Sequence, residues 1–557
     1  MQRLGVVLAI AIASALLSFR AVYEPDLGWH LAHGREDAAG RLVRTNVFSW
    51  THPDYRQHYT SWLFETGAYT AWRVGGDGAV QAAMAATIAL ALAIVYAACR
   101  VTAPMLPSIA TLAIGFMVIE PRAIPRPHVV SFAGMAVCAW LVQRAIAARS
   151  VRPLLWAPLV IAVWSNVHGE CVFGVLLVAV FGVSEILWPS VLTRRDGMRV
   201  MAIALACACA ATINPYGWGL YRYLYENATV PQLLAIAELR PAYLPAYLAF
   251  FVYLGLACVL FAVPLRRPAL WEILATAAFA VLGWRYLRLT PLVFFATAPL
   301  VAARLASLST AWRLDARAVA VTMIALALMS SRHPSLVLGS EFHAGDLHPS
   351  SMFSPRAIAF ARDAGLSGPL FNSNNLGGWL AWMMYPDART FQDSRLQAYP
   401  PEHFQRILDA SRSQSDWNVL VRDVDWAMLS TPRANALSGA GRFPPADWAT
   451  VFWDEAIEIV VRRQSRYAAL AETRGYRVLL PESEILTLAP RLSSPDGDRL
   501  RAEAARNRAE NPEGFAAAAL LCLSDDEKAC ESAERTGAAW PSLQDDLAVV
   551  RALRSKR

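Results

Sequence analysis

Charge is what this chain has least of. Only 17% of its 557 residues are Asp, Glu, Lys or Arg, against 56% hydrophobic residues and a mean hydropathy of +0.33. That balance excludes a water-soluble multidomain enzyme and fits a polytopic membrane protein with a soluble appendage. Cysteine spacing is lacking too: eight cysteines form neither a CxxC pair nor a metal-ligand pattern, which argues against structural zinc. Cys99, Cys138, Cys171, Cys207, Cys209 and Cys258 lie in or beside apolar segments and read as small buried hydrophobes. Only Cys522 and Cys530 are candidates to pair. No continuous basic stripe exists either. The net charge of +7 comes mostly from arginines that punctuate apolar runs, so no nucleic-acid partner is expected. Gly377-Gly378 is not a phosphate-loop fingerprint, and no nucleotide is assigned to it.

What the chain has in abundance is apolar runs. They cover 4–22, 79–99, 105–119, 128–147, 153–166, 170–188, 200–213, 245–263, 268–284, 290–304 and 317–331. A tilted helix needs about 20 residues to cross the hydrocarbon, and several of these are short. They predict about 11 transmembrane helices. Met1–Ser18, with Arg3 ahead of an apolar run, has the look of a signal peptide, but the spans that follow favour a retained first helix.

With the N-terminus inside, the inner connections receive Arg3, Arg100, Arg144, Arg149, Arg152, Arg194, Arg195 and Arg199. Arg266, Arg267, Arg304, Arg313 and Arg317 fall there as well. Every predicted inner loop is basic, as the positive-inside rule requires, and an odd span count places the C-terminal region outside. The outer face then receives a long first loop (23–78) and the loops around Glu120–His128, Asn166–Glu170, Asn214–Pro245 and Trp284–Arg288. His30, His33, His52, His58, His128 and His168 all fall on that side. So long a first loop is usually functional or folded in its own right. From about Arg332 the composition becomes that of a soluble domain. Short apolar runs at Gly368–Asn372, Arg389–Asp393 and Val424–Leu429 alternate with helical stretches and predict a small α/β domain over 332–481. Residues 482–557 read as a helical tail, repeat-like in pattern.

Two acids lead the candidates for chemistry. Asp26 stands a few residues past the first span and suits a base, although it equally suits the start of a short helix, Leu27–Asp37. Glu120 opens a proline-rich loop holding Arg122, Arg126 and His128; the plain reading is a solvated helix end. Arg122, Arg126, Arg285 and Arg288 break the positive-inside pattern, and outer arginines in short loops point to an anionic ligand, phosphate foremost. His30 lies one turn after Asp26. Asn166, His168 and Glu170 form a tight polar turn, Glu65 sits on a helix that Gly75-Gly76 ends, and Glu238 and Arg240 lie along another outer segment. Each of these also has a structural reading, as a turn, a cap or a solvated face.

The order of these features resembles the GT-C superfamily of polytopic glycosyltransferases, within it the bacterial proteins similar to dolichyl-phosphate-mannose protein mannosyltransferases. The matching residues are Pro25-Asp26 with Trp29-His30, Phe48-Ser49-Trp50-Thr51, Trp62-Leu63 with Glu65, and Arg126-Pro127. Asn166 with His168-Gly169, Asn214-Pro215-Tyr216-Gly217, Asn372, Gly377-Gly378 and Asp393 with Arg395 follow, over roughly Met1–Asp425. The chain departs at Asn46-Val47, where an aspartate and a proline would be expected.

The resemblance implies sugar transfer from a polyprenyl-phosphate donor to a glycan, lipid or protein acceptor at the outer face of a bacterial inner membrane. The C-terminal domain would then be periplasmic. It implies an acid in the first outer loop and a second between spans three and four, where Asp26 and Glu120 stand. In an inverting transfer one of them takes the acceptor's proton. Arg126, Arg285 or Arg288, with His128 or His168, hold the leaving phosphate. His30, Glu65, Arg122 and Asn166 complete the expected substrate-binding set. A divalent cation, magnesium or manganese, is compatible but not required by any ligand spacing. The competing readings are a non-catalytic or transport role in lipid-linked glycan handling, and a glycan polymerase or ligase acting through arginine and histidine. Spans nearly free of charge at mid-depth weigh against transport.

Overall fold

The computed structural model describes residues 2–20, 24–57, 60–229, 237–243, 247–263, 267–308, 354–431, 440–539 and 543–555. The expected span 317–331, the arginines at 266, 313 and 317, His58 and the composition change near Arg332 lie outside the described residues. The chain divides into two compact units, Met1–Arg44 with Arg56–Pro349 and Thr45–Tyr55 with Ser350–Arg557.

The first unit is helical. Its helices are α1 (Gln2–Ser18), α2 (Asp26–Ala38), α3 (Trp62–Thr102), α4 (Met105–Ile119), α5 (His128–Ala148) and α6 (Ala157–Trp164). They continue with α7 (Cys171–Leu187), α8 (Arg194–Ala210), α9 (Gly219–Thr229), α10 (Leu248–Ala262), α11 (Leu270–Arg285) and α12 (Thr290–Leu308). Among the described residues, four stretches are long and apolar enough to cross a membrane: Trp62–Thr102, Met105–Arg122, His128–Ala148 and Leu287–Leu308. Shorter apolar helices stand beside them at Leu4–Ser18, Arg152–Trp164, Cys171–Leu187 and Leu248–Ala262.

Side-chain placement explains why these helices belong in lipid. On α10, Phe250, Tyr253, Ala257 and Leu260 are buried against the bundle while Leu248, Val252 and Val259 on the other side are exposed. A helix that is apolar all round, with one apolar face unpacked, suits a hydrocarbon solvent. Leu4, Val7 and Leu8 on α1 and Leu159 and Val163 on α6 repeat the pattern. Cys209 and Cys258, expected to be buried, are exposed on such faces, whereas Cys99, Cys138, Cys171 and Cys207 are buried. At the centre stands α12, buried at every residue from Thr290 to Ala302. It packs on α3, α4, α5, α10 and α11. Arg304 of α12 pairs with Glu272 of α11 at 3.0 Å, both buried. Glu272 stands thirteen residues before Arg285 on α11, about 20 Å away at 1.5 Å per residue.

The second unit holds a four-stranded sheet in the order β1-β2-β4-β3. β1 (Leu370–Asn372) runs parallel to β2 (Trp426–Ser430), and β4 (Ile457–Arg462) lies antiparallel to β2 and to β3 (Trp448–Trp453). Nearly every strand residue is buried, so both faces are covered. Ile358, Trp426, Met428 and Ile459 pack on one side, and Phe371, Leu429, Trp448 and Val460 on the other. The expected run at Arg389–Asp393 supplies a single bridge, between Thr390 and Ser49. That bridge belongs to a finding composition does not signal: residues 45–55 of the first loop are part of this unit. Trp50 Nε1 donates to the Leu370 carbonyl at 2.9 Å, and Arg395 Nη2 to Asn46 Oδ1 at 2.8 Å. Arg395 is also paired with the fully buried Asp393 at 2.6 Å. The C-terminal helices between Ile485 and Arg554 share a core with Trp453 and Tyr476, and Cys522 and Cys530 form a disulfide.

Candidate functional site

The site is built where loops of the first unit meet. Prolines at 121, 125 and 127 prevent a continuous helix between α4 and α5, so the chain makes a 3-10 turn at Glu120–Arg122 and then an irregular link. Arg126 projects from that link into three carboxylates. Its Nε lies 2.7 Å from Glu24 Oε2, its Nη2 2.9 Å from Asp26 Oδ2, and its Nη1 2.6 Å from Glu238 Oε1. Arg122 Nη1 reaches the same Glu238 oxygen at 2.7 Å. The Asp26 backbone N–H donates to Glu24 Oε1 at 2.9 Å, which ties the two acids of the first loop together. Asp26 occupies the first turn of α2, the cap residue being Pro25, and its carboxylate meets the guanidinium from there.

A second group adjoins through shared fields. His168 Nδ1 lies 3.3 Å from Glu170 Oε2 and 3.0 Å from Ser131 Oγ, and Trp164 Nε1 donates to that hydroxyl at 2.9 Å. Arg288 Nη2 is 3.4 Å from His168 Nε2, and its Nε is 3.6 Å from Glu170 Oε1. These are looser contacts than those of Arg126. His128 Nε2 meets the Arg122 carbonyl at 2.7 Å.

Burial and charge move these acids in opposite directions. Burial pushes the Glu24 carboxyl up to about 7; Arg126 opposes the rise and Asp26 adds to it. Burial also works against the charge on Glu170, but His168 and Arg288 hold it down at about 2. Glu238 is held well below the usual carboxylate range by Arg122 and Arg126 despite its burial. The site thus sets Glu24, raised towards neutrality, against Glu170 and Glu238, which are held ionised.

Beside the charges runs an apolar groove, made by a break in α3. Gly75 and Gly76 leave helical geometry, Gly76 with φ 59° and ψ −151°, a conformation that glycine adopts without strain. The helix therefore has two limbs. Leu63, Phe64 and Ala68 on the first limb, Val80, Ala83 and Met84 on the second, and Val129 and Val130 of α5 line the groove together. The groove has a volume of about 270 Å³, and Arg126 and Pro125 line it as well. Trp62 Nε1 donates to Asn166 Oδ1 at 2.8 Å, and Asn166 Nδ2 donates to the Ile213 carbonyl at 2.7 Å, which pins the first limb.

The expected residues divide accordingly. Asp26, Arg122, Arg126, His128, His168 and Arg288 are brought together. Glu120 has another partner: Arg20 Nη1 lies 2.7 Å from its Oε1 and Arg20 Nη2 donates to its carbonyl at 3.1 Å, all buried. Its carboxylate therefore faces α1's end. His30 and Glu65 pair with each other at 3.2 Å, and His33 stands 3.9 Å from the same carboxylate. There α2 crosses α3 closely, because a Cβ on Gly34 would come within 2.0 Å of the Glu65 carbonyl. Asn166 is a pin for the groove wall, and Arg285 donates to the Leu239 carbonyl at 3.4 Å. Glu24, Arg20 and Glu238 carry little signal in the sequence, yet each pairs with an arginine or a carboxylate here. Glu24's one visible signal is its place two residues before Asp26. Among the described residues, no group of three or more His, Cys, Asp or Glu is arranged to hold a metal ion.

No family model matches the chain, and no curated protein matches it in sequence. Among solved structures it is similar to the Archaeoglobus fulgidus oligosaccharyltransferase in the apo form (10% identity, TM-score 0.47, 76% of this chain and 70% of that one). It is similar also to the archaeal oligosaccharyltransferase AglB from Archaeoglobus fulgidus in complex with an inhibitory peptide and a dolichol-phosphate (12% identity, TM-score 0.48, 80% and 72%). A third likeness is to ArnT from Cupriavidus metallidurans bound to undecaprenyl phosphate (15% identity, TM-score 0.45, 82% and 97%). At these identities and scores the likenesses transfer no residue role to this chain.

Proposed function

We propose that the chain is a glycosyltransferase of the bacterial inner membrane, with about eleven spans and its C-terminal unit in the periplasm. It moves a sugar from a polyprenyl-phosphate donor to an envelope acceptor on the outer face. The observation that carries this reading is the apolar groove lined by Arg126, whose guanidinium also holds Glu24 and Asp26. An apolar groove with a guanidinium in its wall suits a lipid chain that terminates in a phosphate. The resemblance carried by Pro25-Asp26, Trp29-His30 and Arg126-Pro127 supports the same donor class. The Cys522–Cys530 disulfide suits an oxidising compartment for the unit that contains it.

The residues divide the reaction as follows. Asp26 accepts the proton of the acceptor hydroxyl, because its side chain is 17% exposed and that of Glu24 only 2%. The freed oxygen bonds to the anomeric carbon as the bond from that carbon to the phosphate oxygen breaks, and the electron pair leaves with the phosphate. Arg126 and Arg122, with Arg288 and His168 loosely held nearby, balance its charge. For Arg126 to turn to phosphate, a carboxylate must yield. Glu24, with its carboxyl at about 7, does so by taking up a proton as the anion arrives.

The test is loss and rescue of an envelope glycan in a deletion strain. Asp26→Ala should fail to restore the glycan at wild-type protein level, because a general base contributes about 10²–10⁴-fold. Full rescue by that allele would overturn the catalytic role.

A further inference from the structure

A second cavity, of about 320 Å³, lies wholly in the sheet-containing unit. It stands on the face of the sheet that carries Trp448, Thr450, Glu458 and Val460, and two loops wall it, one at Phe443–Pro445 and one around Tyr476–Leu480. From these residues we infer that the C-terminal unit carries a binding site for an uncharged saccharide of one or two rings, separate from the transfer site. The inference does not rest on the proposed reaction.

Size sets the first limit. About 320 Å³ lies at the lower end of the roughly 300–1,000 Å³ that small-molecule sites occupy. Charge sets the second. The lining carries two acids, Glu458 and Glu482, and two arginines, Arg463 and Arg477. An anion would meet Glu458 and a cation the two arginines, so an uncharged polar ligand suffers least.

The walls then decide its class. Phe443, Trp448 and Tyr476 offer apolar ring surface to the C–H face of a sugar, while Glu458, Thr450 and the arginines serve its hydroxyls. Glu458 is buried, and the Thr450 hydroxyl donates to its Oε1 at 2.7 Å. Among the described residues no hydrogen bond to Glu458 Oε2 is found, and no cation pairs with it. Burial accordingly pushes its carboxyl up to about 7, with Thr450 opposing and Glu482 reinforcing the rise. A buried acid with an idle oxygen in a cavity is a group that a ligand hydroxyl would satisfy.

The experiment titrates the full-length protein in detergent with neutral mono- and disaccharides of glucose, galactose, mannose and N-acetylglucosamine. Glucosamine and glucuronic acid serve as charged controls, and binding is read by calorimetry and by tryptophan fluorescence. At least one neutral sugar should bind saturably and more tightly than both charged controls. Its affinity should fall about tenfold in Thr450→Val and in Glu458→Gln, the loss expected of one hydrogen bond. Arg477→Ala, an exposed rim change that leaves the buried floor untouched, should weaken binding too, and it keeps the test valid if a floor variant fails to fold. Absence of saturable binding by every neutral sugar would overturn the inference. So would binding that survives all three changes but is lost in Arg126→Ala, because the sugar would then sit in the membrane unit.

Discussion

Glu24 and Asp26 share one guanidinium, yet water reaches one and not the other, and that difference separates their roles. Glu24's folded carboxyl is raised from 4.5 to about 7, so the folded state holds its proton more tightly than the unfolded chain does. Its contribution is therefore fullest below about pH 4.5 and is lost as pH rises towards 7, by about 3 kcal/mol at most. Thermal unfolding of the detergent-solubilised protein should show Tm falling over that window, and Glu24→Gln should flatten the fall. An unchanged slope in the variant would place the titration elsewhere.

Glu120 makes the opposite case. Its pair with Arg20 is buried on both sides, so Glu120→Gln leaves an arginine charge unpaired, at a cost of about 3–5 kcal/mol. A drop in Tm with little change in transfer per folded molecule is the expected outcome. Retained Tm with lost transfer would restore Glu120 as an acid of the reaction. Side-chain chemistry alone did not separate these two acids, since each stands just beyond an apolar run beside arginine. What separates them is which partner lies within 3 Å.

At the scale of elements, the break in α3 matters most. Gly75-Gly76 was legible as a helix end, but not that the chain folds back along itself to leave a groove. Local signals report where a helix stops; the direction in which it resumes depends on what the second limb packs against. Ala83 is exposed and lines the groove. Ala83→Phe should therefore occupy groove volume without disturbing the core, leaving Tm unchanged and weakening undecaprenyl phosphate binding by about tenfold. Equal affinity in wild type and variant would move the lipid elsewhere. The first loop shows the same limit. Its length marked it as more than a connection, yet nothing in its residues showed that 45–55 joins the C-terminal unit. Asn46 accepts from Arg395, 349 positions along the chain.

For the molecule as a whole, orientation remains the reading that arginine counts make. Alkaline phosphatase fused after Gly365 should be active and fused after Arg195 inactive. The reverse result would invert the topology and place the Cys522–Cys530 disulfide in a reducing compartment.

Sequence by itself determined the apolar runs, four of which lie in stretches long and apolar enough to cross a membrane, and the short apolar runs at Gly368–Asn372 and Val424–Leu429 that become strands. These depend on each residue and its near neighbours, because a helix repeats every 3.6 residues and hydrophobic burial is non-directional. Tertiary structure alone decided which acid meets which arginine. Glu24 reaches Arg126 across 102 positions and Arg20 reaches Glu120 across 100, each at 2.7 Å. An ion pair in a low dielectric depends steeply on such distances, and no local period encodes them.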